Sequence, residues 1–309
     1  MSPAPAKRAS ASKAEHARAA IAESLDRLGE ALAAGNSEQM TAFLRTMSRF
    51  HRYSFGNVML IMSQRPDATR VAGFRTWKSL GRSVKKGEKG IAILAPMMLN
   101  ANRHDGDRRA ADSENGDDDR GGKVLRFRAV HVFDISQTEG EPLPEPSRVA
   151  GDPKDALDRL EHAVRAHGIT LTVSNDLGAA DGVSKGGRIE IAAGVSPTER
   201  FATLVHEFAH ELLHQVKGET KPSKGVRELE AEAVAFVVAE WAGLENTHAS
   251  ADYIRLYQGD TKTLAASLER IATAAATIIA GIDPEENTTT VNHGRAAERF
   301  HDATGNRCR

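Results

Sequence analysis

Leu204-Val205-His206-Glu207-Phe208-Ala209-His210 is the stretch on which the reading of this chain turns. It lies in a helix whose start is clearly written. Ser196-Pro197-Thr198-Glu199 offers a capping residue, a proline at the first helical position and a glutamate three residues after the cap. Phe201, Leu204, Val205, Phe208 and Leu212 then form an apolar stripe that buries the helix. His206 and His210 are four residues apart, so their imidazoles leave one face about one turn apart. That spacing lets both nitrogens meet one tetrahedral Zn²⁺ at about 2.0–2.1 Å. Glu207 is rotated about 100° from His206, so it flanks the metal without ligating it. Its expected role is general base, taking a proton from water whose pKa the metal lowers to about 7. Five-residue matches of this kind also arise by chance on surface helices. The capped start, the apolar flanks and a carboxylate-bearing helix downstream argue against chance.

That downstream helix, Arg227-Glu228-Leu229-Glu230-Ala231-Glu232-Ala233-Val234-Ala235-Phe236, carries three carboxylates among residues that are apolar all round. An all-apolar helix is a buried one, and buried carboxylates need a partner such as a metal. Glu230 and Glu232 point roughly 200° apart, so only one of them faces the zinc. Glu230 shares its face with Val234, Val237 and Trp241, a heavier aliphatic wall, and is the expected third ligand. Glu232 is the alternative. The other carboxylate would hold a histidine N–H or pair with Arg227. His214, one turn beyond His210, reads as a solvated histidine or an outer partner of the site. The strand expected at Arg188–Ala192 could offer an edge to an extended substrate.

Composition is that of a soluble globular chain: 309 residues, 40% hydrophobic and 27% charged, long enough for two domains. A single cysteine, Cys308, permits no internal disulfide and fits a reducing, cytoplasmic setting. No stretch approaches the roughly 20 apolar residues of a bilayer span, so no membrane partner is expected. The net charge of −1 hides segregation. Arg65 to Gly90 holds eight basic and two acidic residues, whereas Asn100 to Arg120 holds seven acidic and four basic.

The periodicity divides the chain as follows. Residues 1–12 are Ala/Ser/Pro-rich and expected to be disordered. A first domain spans 13–137, with helices over Lys13–Ala34 and after Ser37, an aromatic turn at Tyr53–Asn57, and strands at Ile91–Leu94 and Val124–Ile135. Within it, 100–122 is polar, Asp/Gly-rich and expected to be a mobile acidic insert. Prolines 142, 144, 146 and 153 mark a linker over 138–153. A second domain spans 154–282: a helix, a strand, a Gly-rich turn, a second strand and three helices. Residues 283–309 are expected to fray. The expected class is α+β.

Between Arg65 and Gly90, arginines and lysines interleave with Phe74 and Trp77, and follow Tyr53 and Phe55. A basic groove with aromatic platforms suits single-stranded nucleic acid, whose phosphates are neutralised while unpaired bases stack. Charge runs more often coat a solvated face, and aromatics more often fill a core. The expected contacts are Tyr53, Phe55, Asn57, Trp77, Arg82, Lys85, Lys86 and Lys89, with Tyr53 and Trp77 as stacking platforms.

Tyr53-Ser54-Phe55-Gly56-Asn57, Gly73-Phe74-Arg75-Thr76-Trp77 and Gly81 through Ile91 together resemble the N-terminal domain of ArdC-type antirestriction proteins. The segments around His206–His210 and Glu228–Phe236 resemble the zincin-like metallopeptidase domain of the same family. They also resemble the ImmA/IrrE group of regulatory peptidases, whose Glu-x-x-Ala pattern corresponds to Glu230 and Ala233. The resemblance implies two domains, an N-terminal mixed α/β domain binding single-stranded DNA and a C-terminal zincin-like domain. It further implies protection of incoming plasmid or phage DNA during conjugative entry. Two alternatives accompany it: a regulatory metallopeptidase that cleaves a repressor, and a non-enzymatic DNA-shielding protein with a zinc site. A protein substrate is expected but not identified.

Overall fold

Helical spacing of apolar residues organises the first half. In the computed structural model, which describes residues 5–100, 123–143, 153–215, 221–244, 253–257 and 259–283, α1 spans Pro5–Ala33 and α2 Glu38–Arg49. Leu25, Leu28 and Leu32 of α1 and Met40, Phe43, Leu44 and Met47 of α2 are buried together. Helix α1 begins inside the stretch expected to be disordered. The aromatic turn and apolar run after Tyr53 form a third helix, α3, over Phe55–Gln64, capped by Ser54. A short apolar run does not by itself distinguish helix from strand.

Two small sheets follow. β1 (Val71–Gly73) leads into a short helix α4 (Phe74–Ser79), then β2 (Arg82–Val84), β3 (Ile91–Asn100), β4 (Lys123–Asp134) and β5 (Thr138–Gly140). Strands β1, β4 and β3 form an antiparallel sheet in that order, and β2 pairs with β5. Pairing of Ser83 with Glu139 places the start of the expected linker in the first half of the fold. Of the insert expected at 100–122, Asn100 ends β3 and residues 101–122 lie outside the described residues, as do 144–152 of the linker and 284–309 of the tail.

The second half runs α5 (Pro153–Ala166), β6 (Thr170–Ser174), β7 (Gly182–Ser184), β8 (Arg188–Ala192), α6 (Pro197–His214), α7 (Lys224–Ala242) and α8 (Thr261–Ile282). Its sheet has the order β6-β8-β7, with β6 parallel and β7 antiparallel to β8. Strand β8, expected as a free edge, is therefore the central strand. The edge nearest α6 is β7.

The class is α+β, but the two halves share a core. Helix α7 is apolar on nearly every side, so α6 and α8 cover only part of its circumference. Helix α2 covers more of it, with the Arg45 guanidinium 5.9 Å from the Phe236 ring and its Nε 3.9 Å from Glu240 Oε1. His51 meets Trp241 edge-on with ring centres 6.2 Å apart. Buried side chains run without a break from Leu25 to Ile282. Helix α8 is long and apolar enough to cross a bilayer, contrary to the sequence reading. Half of its most apolar window is buried in this core.

Candidate metal centre and nucleic-acid face

Helix α6 starts as its sequence dictates. Ser196 Oγ accepts from the Glu199 N–H at 3.3 Å, and Glu199 Oε2 accepts from the Ser196 N–H at 3.2 Å. Phe201, Leu204, Val205, Phe208 and Ala209 are buried beneath it, which turns His206 and His210 toward α7. Their Nε2 atoms lie 3.1 Å apart. The carboxylate that meets them is Glu228, whose Oε2 is 3.6 Å from His206 Nε2 and 3.4 Å from His210 Nε2. Three donors bound tetrahedrally at about 2.0–2.1 Å stand about 3.3 Å from one another. The three observed separations bracket that value, so the donor set fits one small divalent ion. The Glu228 side chain is half exposed, which leaves one side of the cluster toward solvent.

Glu230, the expected third ligand, is not brought to this cluster. Its side chain is wholly buried on another side of α7, where Oε2 stands 3.0 Å from His214 Nε2 and Oε1 accepts from Ser267 Oγ at 2.6 Å. The Arg270 guanidinium also donates to it. Burial alone would raise the Glu230 pKa, but the bonds from His214, Arg270 and Ser267 outweigh it and hold the carboxyl below its usual range. Glu232, the alternative ligand, lies behind His206 with Oε2 3.6 Å from Nδ1. His214 is buried, not solvated, and its Nδ1 is 2.9 Å from His210 Nδ1. Glu228 and Glu232 share a face because they are four residues apart, a relation legible in the sequence. Arg270, in the largely apolar helix α8, is the sequence signal for the buried anion that faces it.

Burial would depress the His206 imidazolium, but a bond to Glu232 and the charges of Glu207, Glu232 and Glu228 prevail and raise its pKa. His210 moves the other way, to about 4, through burial and the adjacent His206 charge, with Glu228 opposing. Burial raises the Glu207 carboxyl above its usual range, against the His206 charge and a hydrogen bond from the Ser184 backbone. That bond places β7 beside Glu207. The approach requires Gly182, since a Cβ there would come within 2.6 Å of Thr203 Cγ2 and 3.0 Å of Glu207 Cγ. Glu211 pins the same strand, accepting from Ser184 Oγ at 2.6 Å and from the Gly186 and Gly187 N–H groups at 2.9 and 2.7 Å.

The expected DNA contacts mostly turn inward. Trp77 is fully buried and its Nε1–H donates to the Phe133 carbonyl at 2.9 Å, so it is no stacking platform. Tyr53 packs on the core, with its hydroxyl 3.4 Å from the Val71 carbonyl. Phe55 packs there too. Asn57 bonds both backbone groups of Leu94 at 2.9 Å. Arg82 spends its guanidinium on Thr138, Gly140 and Glu141, and Lys85 donates to the Ser136 carbonyl at 2.9 Å. These polar groups satisfy strand ends and turns, a use that charge counting does not see. Lys85, Lys86 and Lys89 are all exposed, as is Phe74 at 56%.

The model of the N-terminal domain of anti-restriction factor ArdC matches residues 17–133. An uncharacterized protein of Bacillus anthracis, pXO2-81, is 27% identical over 252 residues, covering 70% of this chain and 42% of that protein. The chain thus spans about two fifths of that relative's length. The metal-free crystal structure of antirestriction protein ArdC from plasmid R388 is similar with a TM-score of 0.50 and 18% identity, covering 85% of this chain and 97% of that one. Its Mn(II)-bound structure matches over the same shares with a TM-score of 0.49. Residues 17–133 therefore match the ArdC N-terminal domain, and the fold of the described chain is similar to that of antirestriction ArdC.

Proposed function

We propose that this is an antirestriction-type protein that binds single-stranded DNA and carries a zinc-dependent peptidase site. The observation that carries the second part is the His206–His210–Glu228 triangle, two imidazoles and a carboxylate at the mutual separations of a tetrahedral site. A set of two histidines and one glutamate leaves a fourth position open, the pattern of catalytic zinc. When bound, zinc polarises a carbonyl and acidifies water. Glu207, beside His206, would take the proton from that water. Its raised pKa suits it to hold the proton and return it to the departing amine. Strand β7, bonded to Glu207 through Ser184, is the edge beside which an extended peptide backbone would lie.

For DNA, exposed Lys86 and Lys89 remain the phosphate contacts. Phe74, at the start of the helix packed on β2, replaces Tyr53 and Trp77 as the stacking side chain. The match of residues 17–133 to the ArdC N-terminal domain supports this assignment. The test is zinc content and peptide hydrolysis of the full chain beside Glu207→Gln. Equal zinc with hydrolysis lost in the variant supports the reading, and a wild type that takes up no zinc refutes it.

A further inference from the structure

Beyond the donor triangle, the structure assigns a role to a chain of hydrogen-bonded groups behind it, centred on buried His214 and Glu230. It runs from His210 Nδ1 to His214 Nδ1 at 2.9 Å, and from His214 Nε2 to Glu230 Oε2 at 3.0 Å. Glu230 also takes a hydrogen bond from Ser267 Oγ at 2.6 Å and from two nitrogens of Arg270, and Arg270 Nη2 donates to Ser267 Oγ at 3.1 Å. The links come from three helices: α6 supplies the histidines, α7 the glutamate, and α8 the serine and arginine.

Proton positions along this chain follow from its far end. Glu230 faces an arginine, a hydroxyl and an imidazole, so it is an anion that only accepts. His214 Nε2 must therefore carry the hydrogen. Ser267 and Arg270 take the remaining bonds of that carboxylate, and His214 is buried between it and His210. With its one proton on Nε2, His214 presents a bare Nδ1. His210 must then donate through Nδ1–H, which leaves its Nε2 lone pair pointing toward His206 and Glu228.

We infer that His214, oriented by Glu230, is a positioning residue that fixes His210 as its Nδ1–H tautomer and so keeps Nε2 free to bind a metal. Metal ligands are commonly oriented through their outer ring nitrogen by a carboxylate or carbonyl. Here a second imidazole is interposed, and the carboxylate is anchored from α8. Glu232 serves His206 from the opposite side. The effect on metal affinity rests on the metal reading above, but the tautomer does not.

Nitrogen-15 NMR of the histidines in the metal-free full-length chain tests the tautomer without a variant. His210 should carry its proton on Nδ1, and a proton on Nε2 overturns the inference. Zinc affinity and the visible spectrum of the Co(II) form then compare His214→Phe, which cannot accept, with His214→Gln, whose amide can accept from His210 and donate to Glu230. His214→Phe should bind zinc about 10–100-fold more weakly with an altered Co(II) spectrum, and His214→Gln should restore most of both. The melting temperature of each metal-free variant checks its fold. Unchanged zinc affinity in a folded His214→Phe overturns the positioning role. A wild type that binds no zinc refutes the metal reading instead, while the tautomer measurement still decides the relay.

Discussion

Glu228 Oε2 lies 3.4 Å from His210 Nε2, while Glu230, two residues further along the same helix, turns to Arg270 and Ser267. Helical geometry separates them by roughly 200°, so one carboxylate serves the donor cluster and the other the core. The two substitutions should therefore fail in different ways. Glu228→Ala should weaken zinc binding by more than about 100-fold, beyond the range of an outer partner, with little change in the stability of the metal-free protein. Zinc titration and denaturant unfolding of the same sample separate the two effects.

Glu230→Gln should instead destabilise the metal-free fold by about 1–3 kcal/mol, because Ser267 and Arg270 lose a charged acceptor while Arg270, one third exposed, keeps access to water. The sign of the pH dependence follows from the lowered Glu230 pKa. A depressed carboxyl contributes stability above its unfolded-state pKa of about 4.3, and loses it as pH falls through the folded value. The gap between wild type and variant should be full at neutral pH and shrink in acid. Denaturant midpoints measured across that range check it, and a gap that widens in acid would contradict the assignment.

Zinc binding should also depend on pH, through His206. Its pKa is raised in the metal-free protein, so a proton must leave before the metal enters. His210, with a pKa of about 4, is already neutral near pH 7 and releases none there. Affinity should rise about tenfold per pH unit below the His206 pKa and level off above it. Calorimetry in buffers of different ionisation heat should show about one proton released per zinc below that pKa. No release at any pH would contradict the paired His206–Glu232 geometry.

On the DNA side, replacing Lys86 and Lys89 with alanine in the full chain should weaken single-stranded DNA binding for all sequences and flatten its salt dependence. Phe74→Ala should weaken binding by about 1–3 kcal/mol at one stacking site. Trp77→Ala should cost about 3–5 kcal/mol of stability, because its ring is buried. A folded Trp77→Ala protein with a selective loss of DNA binding would restore the tryptophan as a platform.

The histidine helix was legible because each of its signals is local: the capping box, the apolar stripe and the four-residue histidine spacing all lie within α6. The third donor is less legible, because Glu228, Glu230 and Glu232 lie within five residues of one helix and local sequence does not say which of them turns to α6. The aliphatic wall beside Glu230 packs the core and does not line the cluster. Trp77, Asn57 and Arg82 turn inward for a related reason. Their partners, Phe133, Leu94 and Thr138, arrive from strands distant in the chain, so local charge and aromatic content gave no sign of them. The shared core was hidden in the same way. The proline-rich stretch suggested separation, whereas the exposed flank of α7 needed α2 to cover it.

The central claim is that His206, His210 and Glu228 hold one zinc ion with Glu207 beside it. Anomalous diffraction at the zinc edge, on crystals of the full chain grown with zinc, tests it most directly. The account predicts a single peak about 2.0–2.2 Å from both Nε2 atoms and a Glu228 oxygen, with a fourth position not filled by protein. A peak bound by Glu230, or four protein ligands closing the site, would contradict it.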